Sequence, residues 1–216
     1  MPNWVTTTIK STPQVISALI NDQGHVDFSR IIKFEGSFEW DGVLGSAETL
    51  AEKVVNTELS DHPLLRPLQE HGRSRASLKD LDDEGFEQFI QMLRNHRATG
   101  YFHVMDFARE AWGTKWNACD STHEVDAGTA RFDTAWSFPE PVILKLSESF
   151  PDDDIAIDYA DEDIGSNCGR LLIRAGVIVE KDIAVRWDSM SEEEQKRWSA
   201  FAYEVKGWDP EGDDDE

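Results

Sequence analysis

The sequence predicts an α+β protein: a helix-rich N-terminal half that opens with a strand, then an antiparallel sheet domain backed by one helix. Three observations carry this reading. Apolar residues recur at helical spacing through much of the first 112 positions. Beyond Gly113 the period shortens to two, as in "TARFDTAW", where Ala130, Phe132, Thr134 and Trp136 share one side and Arg131 and Asp133 take the other. Within that alternating region, "EPVILKLSESF" alone returns to helical spacing.

Taken in order, "NWVTTTIK" is rich in β-branched residues and reads as a strand. Ser11 or Thr12 then caps a helix with Pro13 in its first turn and Val15, Ile16, Leu19 and Ile20 on one face. Gly24 suits its C-terminal cap. "VDFSRIIKF" reads as a short extended segment, and Ser46 as the cap of a second helix with Leu50, Val54 and Val55 inward. Residues 60–80, punctuated by Pro63 and Pro67 and carrying Arg66, Arg73, Arg75 and Lys79, form the one locally basic stretch and read as an exposed loop or insertion. Asp80 opens a further helix with Phe86, Phe89, Ile90 and Leu93 on one face, ended by Gly100. "YFHVMDFAREAW" follows as another helix, stopped at Gly113.

From Thr114 two strands meet near "DAGT", with Gly128 in the turn. The helix after Pro139 and Pro141 turns Val142, Ile143, Leu146 and Phe150 inward, and Pro151 ends it. "DDDIAIDYADED" is a strand with Ile155, Ile157 and Tyr159 on one face, and "GRLLIRAGVIVEKDIAV" supplies two more strands around Gly176. Ser189 or Ser191 then opens a last helix with Trp198, Phe201, Ala202 and Val205 on one side, followed by the acidic tail "DPEGDDDE". The expected domains are therefore residues 1–112 with the basic insertion at 60–80, a sheet domain at 113–187, and an acidic helix and tail at 188–216.

Composition narrows the function. The chain has 216 residues, 39% of them hydrophobic, enough for a folded core. The formal net charge of -22 disfavours direct contact with nucleic acid phosphates and with anionic membranes, since both need clustered Lys and Arg. An unknown protein partner is expected instead, one form of which is a basic nucleic-acid-binding protein. Two cysteines, Cys119 and Cys168, support neither a disulfide framework nor a Cys-based metal site, and no cofactor is expected. No signal-peptide pattern and no membrane-spanning apolar run appear, so a cytoplasmic setting in a bacterial host is the expectation.

Two groups of residues are candidate sites. In "EAWGTKWNACD", Trp112 and Trp116 stand four apart around Gly113, and Trp136 lies on the next strand. They read either as a packing joint between the two halves or as a ligand or interaction platform, with Lys115, Asn117, Thr134 and Ser137 as its polar groups. The second group is acidic: Asp152, Asp153, Asp154, Asp161, Glu162, Asp163, Glu192, Glu193 and Glu194. Such acids are ordinarily solvated turn and cap residues, but their density also suits imitation of a row of phosphates. Neither group shows the spacing of a catalytic motif or of a metal-ligand set, and none of G-x-S-x-G, P-loop, HExxH or CxxC occurs.

Several stretches in order, "MPNWVTTTI", "VDFSRII", "EAWGTKWNA", "FDTAWSFPEPVILKLSESFP" and "IDYADEDIG…CGR", resemble the YubB ferredoxin-like (Api-type) proteins of plasmids, phages and pathogenicity islands. The resemblance covers about residues 1–35 and 107–185. It implies a C-terminal ferredoxin-like sheet domain and a mobile-element setting. It implies neither enzyme activity nor an iron–sulfur cluster, which two cysteines do not hold. The chain departs from the family in reading "IIKFEG" where the family carries a proline-rich turn. The expected role is that of a non-enzymatic accessory protein acting by protein–protein contact, through residues 60–80 and the acidic C-terminal segment. Two alternatives stand beside it: an acidic mimic of DNA, and an unrecognised enzyme or ligand binder at the Trp112, Trp116 and Trp136 cluster.

Overall fold

The computed structural model describes residues 2–210, and the end of the acidic tail, 211–216, lies outside them. Six strands are present among the described residues: β1 (Trp4–Lys10), β2 (Cys119–Glu124), β3 (Thr129–Ala135), β4 (Ile155–Asp161), β5 (Gly169–Arg174) and β6 (Val177–Ile183). The helices are α1 (Pro13–Leu19), α2 (Gly45–Val55), α3 (Leu65–Arg75), α4 (Asp83–Thr99), α5 (Val104–Ala111), α6 (Glu140–Ser149) and α7 (Glu192–Lys206). The described residues up to Lys33 and from Ala108 onward form one compact unit, and Phe34–Phe107 form a second.

In the first unit all six strands make one sheet in the order β2-β3-β1-β4-β5-β6, and every neighbouring pair is antiparallel. β1, α1, β2, β3, α6 and β4 reproduce the ferredoxin-like βαββαβ order, to which β5 and β6 add a hairpin. Ile9 lies opposite both Ala130 and Ile157, and Val5 opposite Thr134 and Asp161. Register is thus fixed by the alternation that the sequence shows: a slip of one residue would turn Val5 and Ile9 out of the core.

The face bearing Val5, Ile9, Phe132, Ile157 and Ile173 is covered by α1 and α6, whose Val15, Ile16, Leu19, Val142, Ile143 and Leu146 are fully buried. Each such side chain contributes roughly 1.5–3 kcal/mol by leaving water. On the opposite face α7 packs on β4 and β1, bringing Trp198, Ala202 and Val205 against Ala160 and Cys168. The start of α7 is a capping box: the Glu194 amide donates to Ser191 Oγ, and the Ser191 amide donates back to Glu194 Oε2 at 2.8 Å.

The α+β class and the antiparallel sheet are as the sequence predicts. The domain limits differ. β1 and α1 lie far from β3 and α6 in the chain but complete the same sheet layer, so a boundary at 112/113 cuts through the ferredoxin-like unit. α7 packs on that sheet as well, so it is not a separate element beginning at 188. Residues 34–107 are an excursion between α1 and β2. Two local expectations also change. Residues 65–75 are helical rather than a loop, because Pro67 falls in the first turn, where its missing N–H has no helical partner to lose. "VDFSRIIKF" contains a single tight turn at Phe28–Arg30, opened by Asp27, whose carboxylate accepts the Ser29 amide at 2.9 Å.

The second unit packs Ala47, Leu50 and Ala51 of α2 against Phe89 and Met92 of α4 and against Phe102. Two buried amides on α4 tie down the preceding loop. Gln88 accepts the Leu44 amide at 2.9 Å and donates to Gly42 O at 3.1 Å. Asn95 donates to Ser37 O and to Phe102 O, each at 2.8 Å. Val54 and Phe86, expected inward, are exposed.

Candidate functional site

The segment after α5 turns sharply at Gly113. Its φ of +75° suits glycine, and an added Cβ would stand 2.9 Å from Pro141 Cδ. On one side of this turn Trp112 is 4% exposed. Its ring meets the edge of Phe28 at 5.9 Å, and its indole N–H donates to Ile32 O at 2.8 Å. Trp112 is thus packed inside the protein rather than offered to a ligand.

Trp116 is not. It is 36% exposed, and Trp136 is 54% exposed, so the packing-joint reading does not hold for these two rings. Residues 114–118 are not a strand; β2 begins at Cys119, and Trp116 leaves the alternation on which that reading rested. Trp136 follows the end of β3 with φ +71°. That left-handed residue breaks the alternation that puts Ala130, Phe132 and Thr134 inward, and it turns the indole to solvent.

Three of the polar candidates serve the fold. Asn117 Oδ1 accepts the Phe28 amide at 2.9 Å, while its Nδ2 donates to Asp27 Oδ1 at 2.7 Å. Thr134 is buried and donates to Ser137 O at 2.8 Å. Ser137 Oγ donates to Gly113 O. Lys115 remains at the surface group, its Nζ 4.5 Å from the centroid of the Trp116 ring.

The structure adds partners that the sequence did not point to. Trp4, at the start of β1, lies 6.1 Å from Trp116 between ring centroids. On its other side Lys206 Nζ donates to Trp4 O at 3.2 Å and sits 4.6 Å from the ring of Trp208. The Trp136 amide donates to Asn3 O at 2.9 Å, and Asn167 Nδ2 reaches Trp136 O at 3.3 Å. Trp4 and Trp116 therefore pair at the end of the sheet where β1 begins and β3 finishes, an end that the Trp136 backbone also reaches through Asn3 and the Trp208 ring through Lys206. Burial, against the pull of Asp133, Glu162 and Asp161, holds the Lys206 ammonium below its ordinary value.

The acidic candidates do not form one surface. Asp161 is buried and accepts from Asn3 Nδ2 at 3.2 Å, the Asp163 amide at 3.0 Å and Asn167 Nδ2 at 2.9 Å. Asp154 is engaged by Arg174 through two bonds of 2.6 Å. Glu194 belongs to the α7 cap, and Glu192 and Glu193 stand exposed in its first turn. Asp152 and Asp153 precede β4, whereas Glu162 and Asp163 follow it, a separation of roughly 20 Å at strand rise. Asp163 is exposed and Glu162 half-buried.

Burial disfavours the thiolate at both cysteines. Burial, with Asp120 and Asp133 adding to it, pushes the Cys119 thiol up to about 11, and burial beside Asp161 pushes Cys168 up to about 12. Among the described residues no group of three or more His, Cys, Asp or Glu is placed to hold a metal ion. None of the described helices is long and apolar enough to cross a membrane.

The family model described as the ferredoxin-like domain in Api92-like protein matches residues 111–201. This stretch is similar to an Api92-type ferredoxin-like domain. The matched residues supply β2 to β6, α6 and most of α7, and the structure completes their sheet with β1. Among solved structures, the crystal structure of a protein api92 from Yersinia pseudotuberculosis is similar at 11% identity and a TM-score of 0.38, covering 85% of this chain and 98% of that one. Among curated proteins nothing matches.

Proposed function

We propose that the chain is a non-enzymatic accessory protein that works by binding another protein, and that the tryptophan-bearing end of the sheet is its contact surface. The observation that carries this is the exposure of Trp116, which packs on Trp4, together with that of Trp136 and Trp208, whose elements reach the same end of the sheet. Exposed indoles are costly to keep in water, and Trp is enriched among residues that dominate binding energy. Lys115 lies over the Trp116 ring and gives the patch a polar group, while the buried Lys206 lies against the ring of Trp208. A mobile-element setting in a bacterial cytoplasm is supported by the family resemblance.

A second reading, imitation of nucleic acid, is favoured by the net charge of -22 and by the exposed Asp152, Asp163, Glu192 and Glu193. One experiment separates the two. The protein and its Trp116→Ala/Trp136→Ala variant serve as bait in a bacterial lysate at low and at high salt. Capture that survives high salt and disappears in the variant supports the indole surface. Capture that collapses as salt rises and ignores the variant overturns it in favour of charge imitation, because exposed charges are screened over about 8–10 Å at physiological ionic strength.

A further inference from the structure

We infer that the outer edge of β6 is a docking strand, and that it receives an extended, alternating apolar and basic segment of another protein as a seventh strand of the sheet. β6 is a terminal strand, and among the described residues no backbone hydrogen bond reaches its outer side. The Ala184 amide donates inward to Cys168 O at 2.9 Å. By alternation Glu180 and Asp182 also turn their amides to β5, which leaves those of Lys181 and Ile183 facing outward with their carbonyls. A row of such groups is a template for an added strand. The side chains agree: Val177, Val179, Ile183 and Val185 are each between 43 and 57% exposed.

Charge decides the occupant. A second copy would approach antiparallel about a two-fold axis, with outward-facing residues opposite each other. Registers centred on Glu180, Lys181 or Asp182 set each of these charges against its own copy, and one centred on Ile183 sets Lys181 opposite Val185, leaving the repulsion of the two net charges to oppose it. Like charges directly opposite each other destabilise a strand pair, and two chains of net charge -22 repel as a whole. A foreign strand has no such constraint. Lys181 and Ile183 point to the sheet face that carries α6, and Glu180 and Asp182 to the face that carries α7. Asp182 is held by Arg197, while Glu180 is exposed. The fitting segment puts apolar side chains beside Ile183 and Lys or Arg beside Glu180. This inference stands apart from the indole surface and does not rest on it.

The probe is a fluorescein-labelled peptide of about eight residues, a typical strand length, alternating valine and lysine. Fluorescence anisotropy of the full chain with this peptide is expected to show saturable binding. Amide exchange followed by NMR should slow by about tenfold at Lys181 and Ile183 and stay unchanged in β2. A peptide of the same composition with valines and lysines in separate blocks should bind about tenfold more weakly, as should a version with N-methylated valine amides. Lys181→Pro removes one outward donor and leaves the inner ladder intact, so it should abolish binding. Glu180→Lys, which carries no folding risk at an exposed position, should weaken it about tenfold. Trp116→Ala should leave it within about twofold. Absence of saturable binding, equal binding of the block peptide, protection outside β6, or full affinity in Glu180→Lys would each overturn the inference.

Discussion

The two edges of the sheet are built alike and finished differently. At the β2 edge, the loop after α1 lies along the strand: the Val26 amide donates to Ser121 Oγ at 3.2 Å and the Phe28 amide to Asn117 Oδ1 at 2.9 Å. Phe28 drives this closure, fully buried against Phe132 at 5.5 Å and Trp112 at 5.9 Å between ring centroids. The β2 strand itself is irregular, with Asp120 at φ +46° where its pairing to β3 shifts. At the β6 edge the strand carries Glu180, Lys181 and Asp182 among its valines and isoleucines and has its own register shift against β5, but no backbone hydrogen bond from the described residues closes its outer side. The difference teaches that an edge is closed by residues distant in sequence, and that one of the closing groups, Asn117, is a residue that sequence reading takes for part of a binding site.

The comparison breaks most visibly at Phe28. Phe28→Ala should cost about 3–5 kcal/mol in denaturant unfolding, the range for a large buried aromatic, and should speed amide exchange along β2 while leaving β6 unchanged. Asn117→Ala should cost about 1–3 kcal/mol, because it strips the Phe28 and Ala118 amides and the Asp27 carboxylate of a partner at once; equal exchange rates in β2 before and after would show that the loop does not seal the edge.

Asp27 sharpens the same comparison through pH. Burial is the strongest single influence on its carboxyl and resists ionisation, but hydrogen bonds from Ser29, Asn117 and Asn21 together outweigh it and hold the group below its usual value. A carboxyl depressed in the folded state contributes stability that is complete above its unfolded value, about 3.9, and is lost as pH falls through the folded value. The stability gap between the native protein and Asp27→Asn should therefore be full near neutrality and shrink below about pH 4. A gap that is constant over that interval in thermal unfolding would contradict this assignment. The smallest effect belongs to the open edge: Val179→Thr should change stability by no more than about 0.5 kcal/mol, since Val179 is half exposed.

Much of the sheet was legible from local pattern. β3, β4, β5, α6 and α7 follow directly from alternation, proline punctuation and a serine cap, all of which act within a few residues. What failed was non-local or stereochemical. "NWVTTTIK" announces a strand but not its place between β3 and β4. Trp136 keeps the parity of an inward residue, and nothing about a non-glycine residue signals a φ of +71°. Asn117, Thr134 and Ser137 looked like ligand-binding groups because they are polar and stand beside indoles. Buried backbone amides and carbonyls demand partners, and these side chains meet that demand. Trp4 went unnoticed because its neighbour Trp116 is set by the fold rather than by spacing. Helix α3 carries no buried residue, so it had no apolar stripe to betray it.

The excursion of residues 34–107 has a temporal consequence. β1 is made first, yet Ile9 finds its partners only at Ala130 and Ile157. At ribosomal rates of roughly 5–20 residues per second, a β-branched heptad waits on the order of ten seconds for its ladder. Meanwhile Phe34–Phe107 is fully synthesised and can collapse around α2 and α4. In that interval β1, the first of the described strands, is held without its ladder and its backbone groups are open to mispairing.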